Sequence, residues 1–232
     1  MVKPRWLVVN KKKMLGMVVM ILLLAGLYRG TTAYYTRVNV PPEELVAAAL
    51  ENTLNSTSCR FSILVKTGES VISNVQGERV APNSVHISGT MQDMPVEFIH
   101  AGDETFIKGY WSDNWTSLKG NKMAESELFI TEFNPLGTFN FKDIPYIKTI
   151  KTEEFKGTKM KVLELRPIVQ NSLMELNYEN FIYRVWIDPK QQLIRKSHIQ
   201  AGGKNGKKDK LEITLELWDY NKQITITPPD VS

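Results

Sequence analysis

The stretch Leu211-Glu-Ile-Thr-Leu-Glu-Leu-Trp218 alternates apolar and polar residues over most of its length. Successive side chains of a β-strand point to opposite faces of the sheet, so every second residue shares a face. Here the leucines and the isoleucine share one face, and the glutamates and the threonine share the other. The pattern predicts a strand with one buried and one solvated face.

A second stretch, Phe181-Ile-Tyr-Arg-Val-Trp-Ile187, has the same period but carries apolar residues on both faces. The two apolar sets, one for each face, are Phe181, Tyr183, Val185 and Ile187, and Ile182 and Trp186. An antiparallel sheet with one face in water shows a clean alternation instead. We therefore expect helices, a protein partner or an apolar ligand to cover the second face.

Shorter alternating runs occur at residues 61–66, 85–89 and 96–98, and turn-forming residues separate the runs. The turn signals are Thr67-Gly68, Asp93-Met94-Pro95, Ala101-Gly102-Asp103, Lys156-Gly157, Asp188-Pro189-Lys190 and residues 202–206. Turns at this spacing predict hairpins, because parallel strands need long crossover connections.

Three segments carry helix signals. Pro41-Pro42-Glu43-Glu44 places proline and carboxylates at a helix start, which suits the positive end of the helix dipole. An apolar stripe follows, formed by Leu45, Val46, Ala49, Leu50 and Leu54. Met123–Phe133 predicts a second helix and Ile144–Ile150 a short third one. The predicted fold class is therefore α+β with a large antiparallel sheet.

The first forty residues have the pattern of an export signal. Basic residues precede the uncharged apolar run Met14–Tyr28, and nothing acidic occurs before Glu43. Positive charge of this kind stays on the cytoplasmic side of a membrane. The pattern predicts a cytoplasmic basic tail at residues 1–13, a signal anchor or signal peptide at 14–33, a linker at 34–40 and an extracytoplasmic domain at 41–232.

Two fates of the apolar run are open. As a helix it spans roughly 22 Å, whereas the hydrocarbon core of a bilayer is roughly 30 Å thick. An uncleaved anchor needs Lys13 and Arg29 to extend their charged ends toward the membrane surfaces. A cleaved signal would use Thr31 and Ala33, ahead of Tyr34, as its small residues. The first fate gives a single-pass cell-membrane protein with a cytoplasmic N-terminus, and the second a secreted protein.

The net charge of +4 comes from the N-terminal segment. Residues 1–40 hold seven of the 29 Lys and Arg and none of the 25 Asp and Glu, so residues 41–232 hold 22 basic and 25 acidic side chains. A mildly acidic domain gives no reason to expect a nucleic-acid partner. The single cysteine, Cys59, excludes an intramolecular disulfide.

No residue pattern in the chain indicates catalysis or metal binding. His86, His100 and His198 each lack a second histidine or a cysteine at i+2 to i+4. Residues 201–210 lack the spacing of a phosphate-binding loop, and no Gly-x-Ser-x-Gly elbow occurs. The sequence predicts a protein that is not an enzyme and that has no cofactor or metal.

Three stretches carry a family pattern: residues 41–54 leading into Cys59-Arg-Phe-Ser-Ile63, residues 103–108 followed by Trp111 and Trp115, and residues 183–190 followed by residues 193–196. These stretches resemble the superfamily of lipoprotein and lipid carriers that includes the LolA, LppX and LprG types. The resemblance implies a strongly curved antiparallel sheet, a half-barrel, with helices covering its concave face. It also implies an apolar cavity between sheet and helices that accepts acyl chains, and no catalytic residues.

Bulky apolar side chains would line the cavity that the resemblance implies. The candidates are Phe98, Phe106, Met123, Leu128, Phe129, Phe133, Phe139 and Phe141. For each of them, filling an ordinary core is the alternative. Trp111 and Trp115 are candidates for contact with the membrane surface, with packing at a strand end as the alternative.

Together these patterns predict a membrane-tethered extracytoplasmic domain of bacterial type that binds a lipid or an acylated ligand. Its expected partners are the membrane, reached through the N-terminal helix, and a lipid or acyl chain. The alternative function is an envelope sensor or protein-interaction module of the same fold, which would bind an envelope protein and transport no lipid.

Overall fold

The computed structural model describes residues 19–26, 40–102, 104–109, 112–119, 134–170, 172–204 and 209–230. The chain divides into two compact units, Met1–Pro41 and Pro42–Ser232. In the first unit, residues 19–26 are helical and exposed. No helix within the described ranges is long and apolar enough to cross a membrane. The predicted basic tail and residues 34–39 of the predicted linker lie outside those ranges.

The second unit is built mainly from strands. Its helices are α1 Pro42–Leu54, the 3-10 helix Pro135–Phe139 and α2 Ser172–Asn177. Its strands are β1 Ser58–Thr67, β2 Ser70–Val80, β3 Ser84–Met91, β4 Met94–Ala101, β5 Glu104–Lys108, β6 Thr116–Lys119, β7 Phe141–Asp143, β8 Ile147–Phe155, β9 Thr158–Leu165, β10 Ile168–Val169, β11 Tyr178–Asp188, β12 Leu193–Gly203 and β13 Leu211–Trp218.

Eleven strands form one antiparallel sheet in the order β6-β5-β4-β3-β2-β1-β13-β12-β11-β9-β8. The predicted antiparallel sheet is therefore confirmed. Strands β6 and β8 are its two edges within the described part of the chain. Strands β7 and β10 form a separate two-stranded sheet, which we call the β7–β10 ribbon.

One face of the large sheet is buried by alternate residues of neighbouring strands. The register places Phe61 opposite Leu217 and Tyr183 opposite Ile199, and all four side chains are buried. The Tyr183 hydroxyl donates a hydrogen bond of 2.9 Å to the carbonyl oxygen of Thr138 in the 3-10 helix. Since a helix lies against this side, we call it the helix-covered face.

Helix α1 begins at the predicted position and packs on the same face. Its first residue is Pro42, and a proline fits there because the first N–H groups of a helix have no partner within the helix. Glu43 and Glu44 follow in the first turn, where their negative charges are stabilised by the positive end of the helix dipole. Its buried residues are Leu45, Val46, Ala49 and Thr53. The Thr53 hydroxyl accepts a 3.1 Å hydrogen bond from the Ile194 N–H, which ties the end of α1 to β12.

The opposite face carries a second apolar cluster. Met160, Val162 and Trp186 form it, and Phe155 packs against it. The Lys196 ammonium lies 5.3 Å from the ring centroid of Phe155 and 5.6 Å from that of Trp186. Trp186, which the sequence places on the second apolar face of β11, is therefore buried by its neighbours on the same face of the sheet.

The structure of residues 144–150 differs from the prediction. The sequence predicts a short helix at Ile144–Ile150, but β8 begins at Ile147 and pairs with β9. β-Branched residues, which favour strands, are frequent here, and the neighbouring strand supplies hydrogen-bond partners that an isolated short helix lacks. The helix predicted at Met123–Phe133 lies outside the described residues.

Candidate functional site

A groove lies between helix α1, the 3-10 helix, strand β7 and the start of β8. Its volume is about 440 Å³. We call it the α1 groove, and it is lined by Glu43, Val46, Ala47, Leu50, Leu54, Phe139, Asn140, Phe141, Asp143, Ile144, Ile147 and Gln170.

Helix α1 contributes an apolar strip to the α1 groove, formed by Val46, Leu50 and Leu54. These residues are four positions apart, and side chains at that spacing lie above one another on one helix face. Val46 is buried, whereas Leu50 and Leu54 are half-buried. Part of the strip therefore remains in contact with solvent.

Aromatic side chains of the 3-10 helix and the ribbon add a further wall. Phe139 is buried and Phe141 is half-buried. The Asn134 side chain caps the 3-10 helix by accepting a 3.1 Å hydrogen bond from the Gly137 N–H. The Phe141 ring meets the Tyr183 ring edge-to-face, which fixes the ribbon against the large sheet.

Four polar side chains also line the α1 groove: Glu43, Asn140, Asp143 and Gln170. Asp143 Oδ1 accepts a 2.8 Å hydrogen bond from the Ile144 N–H, and the Gln170 N–H donates one of 2.8 Å to the Asn140 carbonyl oxygen. The described lining residues include no lysine, arginine or histidine. The groove thus combines apolar walls with two carboxylates and two amides.

The β7–β10 ribbon separates the α1 groove from a second groove of about 540 Å³. We call this the α2 groove, and it is lined by Lys142, Arg166, Pro167, Ile168, Val169, Glu175, Tyr178, Glu179, Asn180, Phe181, Ile182 and Lys204. Phe141 and Asp143 line the α1 groove, whereas Lys142 between them lines the α2 groove. The ribbon is therefore a wall that both grooves share.

The buried titratable groups near the helix-covered face are held neutral. Burial raises the pKa of Cys59 to about 11, although the charge of Arg79 acts in the opposite direction. Burial also raises the pKa of Tyr183. A protonated thiol is not a nucleophile. Within the described ranges, no group of three or more His, Cys, Asp or Glu residues could hold a metal ion.

The comparison with known proteins rests on structure. No protein-family model matches the sequence, and no curated protein matches it. The lipoprotein LppX of Mycobacterium tuberculosis is 17% identical with a TM-score of 0.56, over 81% of this chain and 100% of that chain. LprF from Mycobacterium bovis is 12% identical with a TM-score of 0.56, over 81% of this chain and 96% of that chain.

This chain has an LppX-like fold. The predicted resemblance to the superfamily of lipoprotein and lipid carriers is thereby confirmed at the level of the fold. At identities of 17% and 12%, the likeness concerns the fold alone. The residues that line a groove, and not the fold, determine what it binds.

The LppX-like fold brings two of the predicted cavity residues together, since Phe139 and Phe141 both line the α1 groove. Phe98 and Phe106 are buried in β4 and β5 and do not line it. Phe106 pairs with Ile99, the neighbour of Phe98, so the two rings point to opposite faces of the sheet.

The remaining predicted residues divide into two groups. Those outside the described residues are Trp111, Met123, Leu128, Phe129 and Phe133. Trp115 is described and half-buried just before β6, where the Lys108 ammonium lies 5.9 Å from its ring centroid. Its contact with a membrane surface stays a prediction.

Several groove residues were not among the predicted site residues. The strip of Val46, Leu50 and Leu54 is visible in the sequence, but its spacing does not distinguish a core-facing strip from a groove wall. Ile144 and Ile147 line the groove from a segment whose local pattern predicts a helix. The position of Ile147 is fixed by the pairing of β8 with β9, in which it lies opposite Leu165.

Proposed function

We propose that this protein binds the acyl chain of a lipid or of an acylated ligand in the α1 groove. The observation that carries the proposal is the groove itself. It has the apolar strip of α1 on one side, Phe139 and Phe141 on another, and a volume of about 440 Å³. Ligand pockets commonly have about 300–1,000 Å³ and mostly apolar walls.

Burial of hydrocarbon would supply the binding free energy. Each CH₂ group that leaves water contributes about 0.8 kcal/mol, so ten of them would contribute about 8 kcal/mol before the cost of ordering the chain. Leu50, Leu54 and Ile147 are only half-buried, so they have apolar surface left for a ligand to cover. Phe139 and Phe141 belong to the same proposed binding surface.

A membrane tether and an extracytoplasmic location are part of the proposal. They are supported by the basic residues and the absence of acidic residues in residues 1–40 and by the apolar run Met14–Tyr28. Residues 19–26 of that run are helical with exposed side chains. Cleavage after Ala33 would instead release the same domain from the membrane.

The alternative function, a protein-interaction module, has one observation in its favour. Strand β8 is a sheet edge, and most of its residues are exposed, so an extended segment of a partner could pair with it. However, β8 carries a register shift between Thr149 and Lys151 and the exposed lysines Lys148 and Lys151. Bulges and lysines are features that discourage edge pairing, so we favour the acyl-chain groove.

The test is photolabelling of the full-length protein in vesicles with tetradecanol that carries a diazirine near the end of its chain. We expect mass spectrometry to find the label on peptides of α1, the β7–β10 ribbon and the start of β8. Ala47→Trp places an indole in the α1 groove and should abolish this labelling. Asn52→Trp adds the same ring at an exposed position of α1, about 140° around the helix from Ala47, and serves as the control. The Asn52 side chain bonds the Gln192 carbonyl oxygen and does not line the groove.

Labelling that is absent from these peptides in the wild-type protein would contradict the proposal. So would labelling that Ala47→Trp and Asn52→Trp leave equally strong. A label confined to β8 that needs an added partner protein would favour the interaction module.

A further inference from the structure

The two grooves differ in charge. The charged residues that line the α1 groove are Glu43 and Asp143, both acidic. The α2 groove is lined by three cations, Lys142, Arg166 and Lys204, and by two acids, Glu175 and Glu179. The charged residues that line the α1 groove are thus net negative, and those that line the α2 groove are net positive. A ligand that entered both grooves would meet charges of opposite sign on the two sides of the β7–β10 ribbon.

Two ammonium groups converge on Glu175 in the α2 groove. Lys142 Nζ lies 2.8 Å and 3.1 Å from the two carboxylate oxygens of Glu175. Lys204 Nζ donates a hydrogen bond to the Glu175 carbonyl oxygen. The Glu175 carboxylate thus pairs with Lys142, whereas Lys204 bonds the backbone of the same residue. The two ammonium groups and this one carboxylate together retain a positive charge.

A third cation lies on the same groove lining. The Arg166 guanidinium contacts Glu164 at 3.2 Å and stacks over the Tyr146 ring with its carbon 4.9 Å from the centroid. Arg166 directly precedes Pro167 and Ile168, so the cation and the ribbon belong to one short segment. The Arg166 side chain is exposed, so its N–H donors that do not contact Glu164 are available to a further acceptor.

Residues that line the α1 groove and residues that line the α2 groove are direct neighbours along the chain. Lys142 sits between Phe141 and Asp143 on β7, and consecutive Cα atoms of a chain are about 3.8 Å apart. On β10, Ile168 and Val169 line the α2 groove, whereas the next residue, Gln170, lines the α1 groove. Ile168 is 50% exposed, which leaves apolar surface at this wall.

We propose that the α2 groove receives the anionic headgroup of the same amphiphile whose acyl chain occupies the α1 groove. This inference rests on the proposed function and adds the chemical class of the ligand, an amphiphile with an anionic head. The head would sit between Lys142 and Lys204 and share them with Glu175. Charge-assisted hydrogen bonds from lysine to phosphate or carboxylate oxygens are the relevant contacts.

The test compares two probes with the same photoreactive chain, tetradecyl phosphate and tetradecanol, on full-length protein in vesicles. Only the phosphate carries a charge, and each variant is compared with the wild-type protein for the same probe, so differences in membrane partitioning cancel. Lys142 is 51% exposed, so Lys142→Ala should lower labelling by the phosphate about two- to fivefold. It should leave labelling by tetradecanol unchanged. Lys148→Ala removes an exposed lysine from β8 outside both groove linings and is the matched control.

A second variant should act in the opposite direction. Glu175→Gln removes the carboxylate that competes with the ligand for Lys142, so labelling by tetradecyl phosphate should rise about two- to fivefold. A loss of folding cannot produce an increase. Excess inorganic phosphate should not compete, because it lacks the chain.

The outcomes separate the two proposals. If tetradecanol labels the α1 groove but the charge variants act equally on both probes, or if Glu175→Gln lowers labelling by the phosphate, the headgroup inference is wrong and the proposed function stands. If inorganic phosphate displaces the phosphate probe, the α2 groove is an anion site independent of a chain, and the inference is wrong. If neither probe labels the protein, both proposals are wrong.

Discussion

The rings of Phe141 and Tyr183 meet edge-to-face, with centroids 5.0 Å apart and planes at 87°. The hydroxyl of the same Tyr183 donates a 2.9 Å hydrogen bond to the Thr138 carbonyl oxygen. One residue of β11 therefore holds both the ribbon and the 3-10 helix, which are two walls of the α1 groove. A ring pair of this geometry contributes about 0.5–1.5 kcal/mol beyond its buried area.

Tyr183→Phe should lower stability while keeping the ring contact with Phe141. Thr138 is buried, so its carbonyl oxygen would lose a partner that water cannot easily replace. We expect a loss of about 1–2 kcal/mol in the free energy of unfolding, measured from urea midpoints at unchanged slope. Tyr146→Phe, at an exposed tyrosine, is the control, and an equal effect of both variants would count against this account.

Gly77 is required by a close approach between β2 and β3. A Cβ atom at this position would collide with the His86 carbonyl oxygen and lie 2.8 Å from Cζ of Phe61. Gly77→Ala should therefore cost about 1–3 kcal/mol through strain in a packed core. At Gly202 the nearest atom to an added Cβ is the Glu179 carbonyl oxygen at 3.7 Å, so Gly202→Ala should be tolerated. Thermal unfolding of the two variants would test the contrast.

Ser197 is buried on β12, and its hydroxyl has no hydrogen-bond partner within the described part of the chain. Its neighbours in the register are Val185 and Leu215, both apolar. A buried hydroxyl without a partner costs about 1–3 kcal/mol, so Ser197→Ala should raise the free energy of unfolding by about 1 kcal/mol. A clear decrease in the urea midpoint would show that the hydroxyl has a partner in solution.

Glu216 links the β8–β9 hairpin to β13, since Lys156 and Lys196 contact its two carboxylate oxygens at 2.9 Å and 3.1 Å. Burial alone would raise the pKa of Glu216, but the two lysines outweigh it and hold the pKa below its ordinary value of 4.5. A lowered pKa contributes stability above the pKa of the unfolded chain, and this stability is lost as the pH falls through the folded pKa.

Glu216→Gln should therefore lower stability by about 1 kcal/mol at pH 7, with a smaller effect at pH 3. Urea unfolding at both pH values measures the difference. Glu212, on the same strand, accepts a hydrogen bond from the neutral Gln200, so Glu212→Gln should show a smaller dependence on pH. An effect of Glu216→Gln that is equally large at pH 3 would contradict the ion-pair explanation.

The sheet could be predicted from local patterns because its signals are local. Alternation in Leu211–Trp218 depends on which residues face the core, and the structure buries the leucines and the isoleucine as expected. The proline and carboxylates at the start of α1 act within one helical turn, so the start of the helix was equally predictable.

The grooves could not be predicted in the same way. A groove is the space that remains after packing, and it depends on which strand lies beside which. The assignment of Ile147 to a helix failed because its strand partner Leu165 lies far along the chain. Phe98 and Phe106 are both aromatic and buried, but only their register reveals that they occupy opposite faces.

The most direct test of the central claim is native mass spectrometry of the full-length protein after mild extraction from its membranes. We expect the wild-type protein to carry the additional mass of a bound acyl-bearing lipid, and Asn52→Trp to carry it as well. Ala47→Trp should lose it. A wild-type protein without any bound lipid, or an Ala47→Trp variant that retains the same mass, would contradict the proposal that the α1 groove holds an acyl chain.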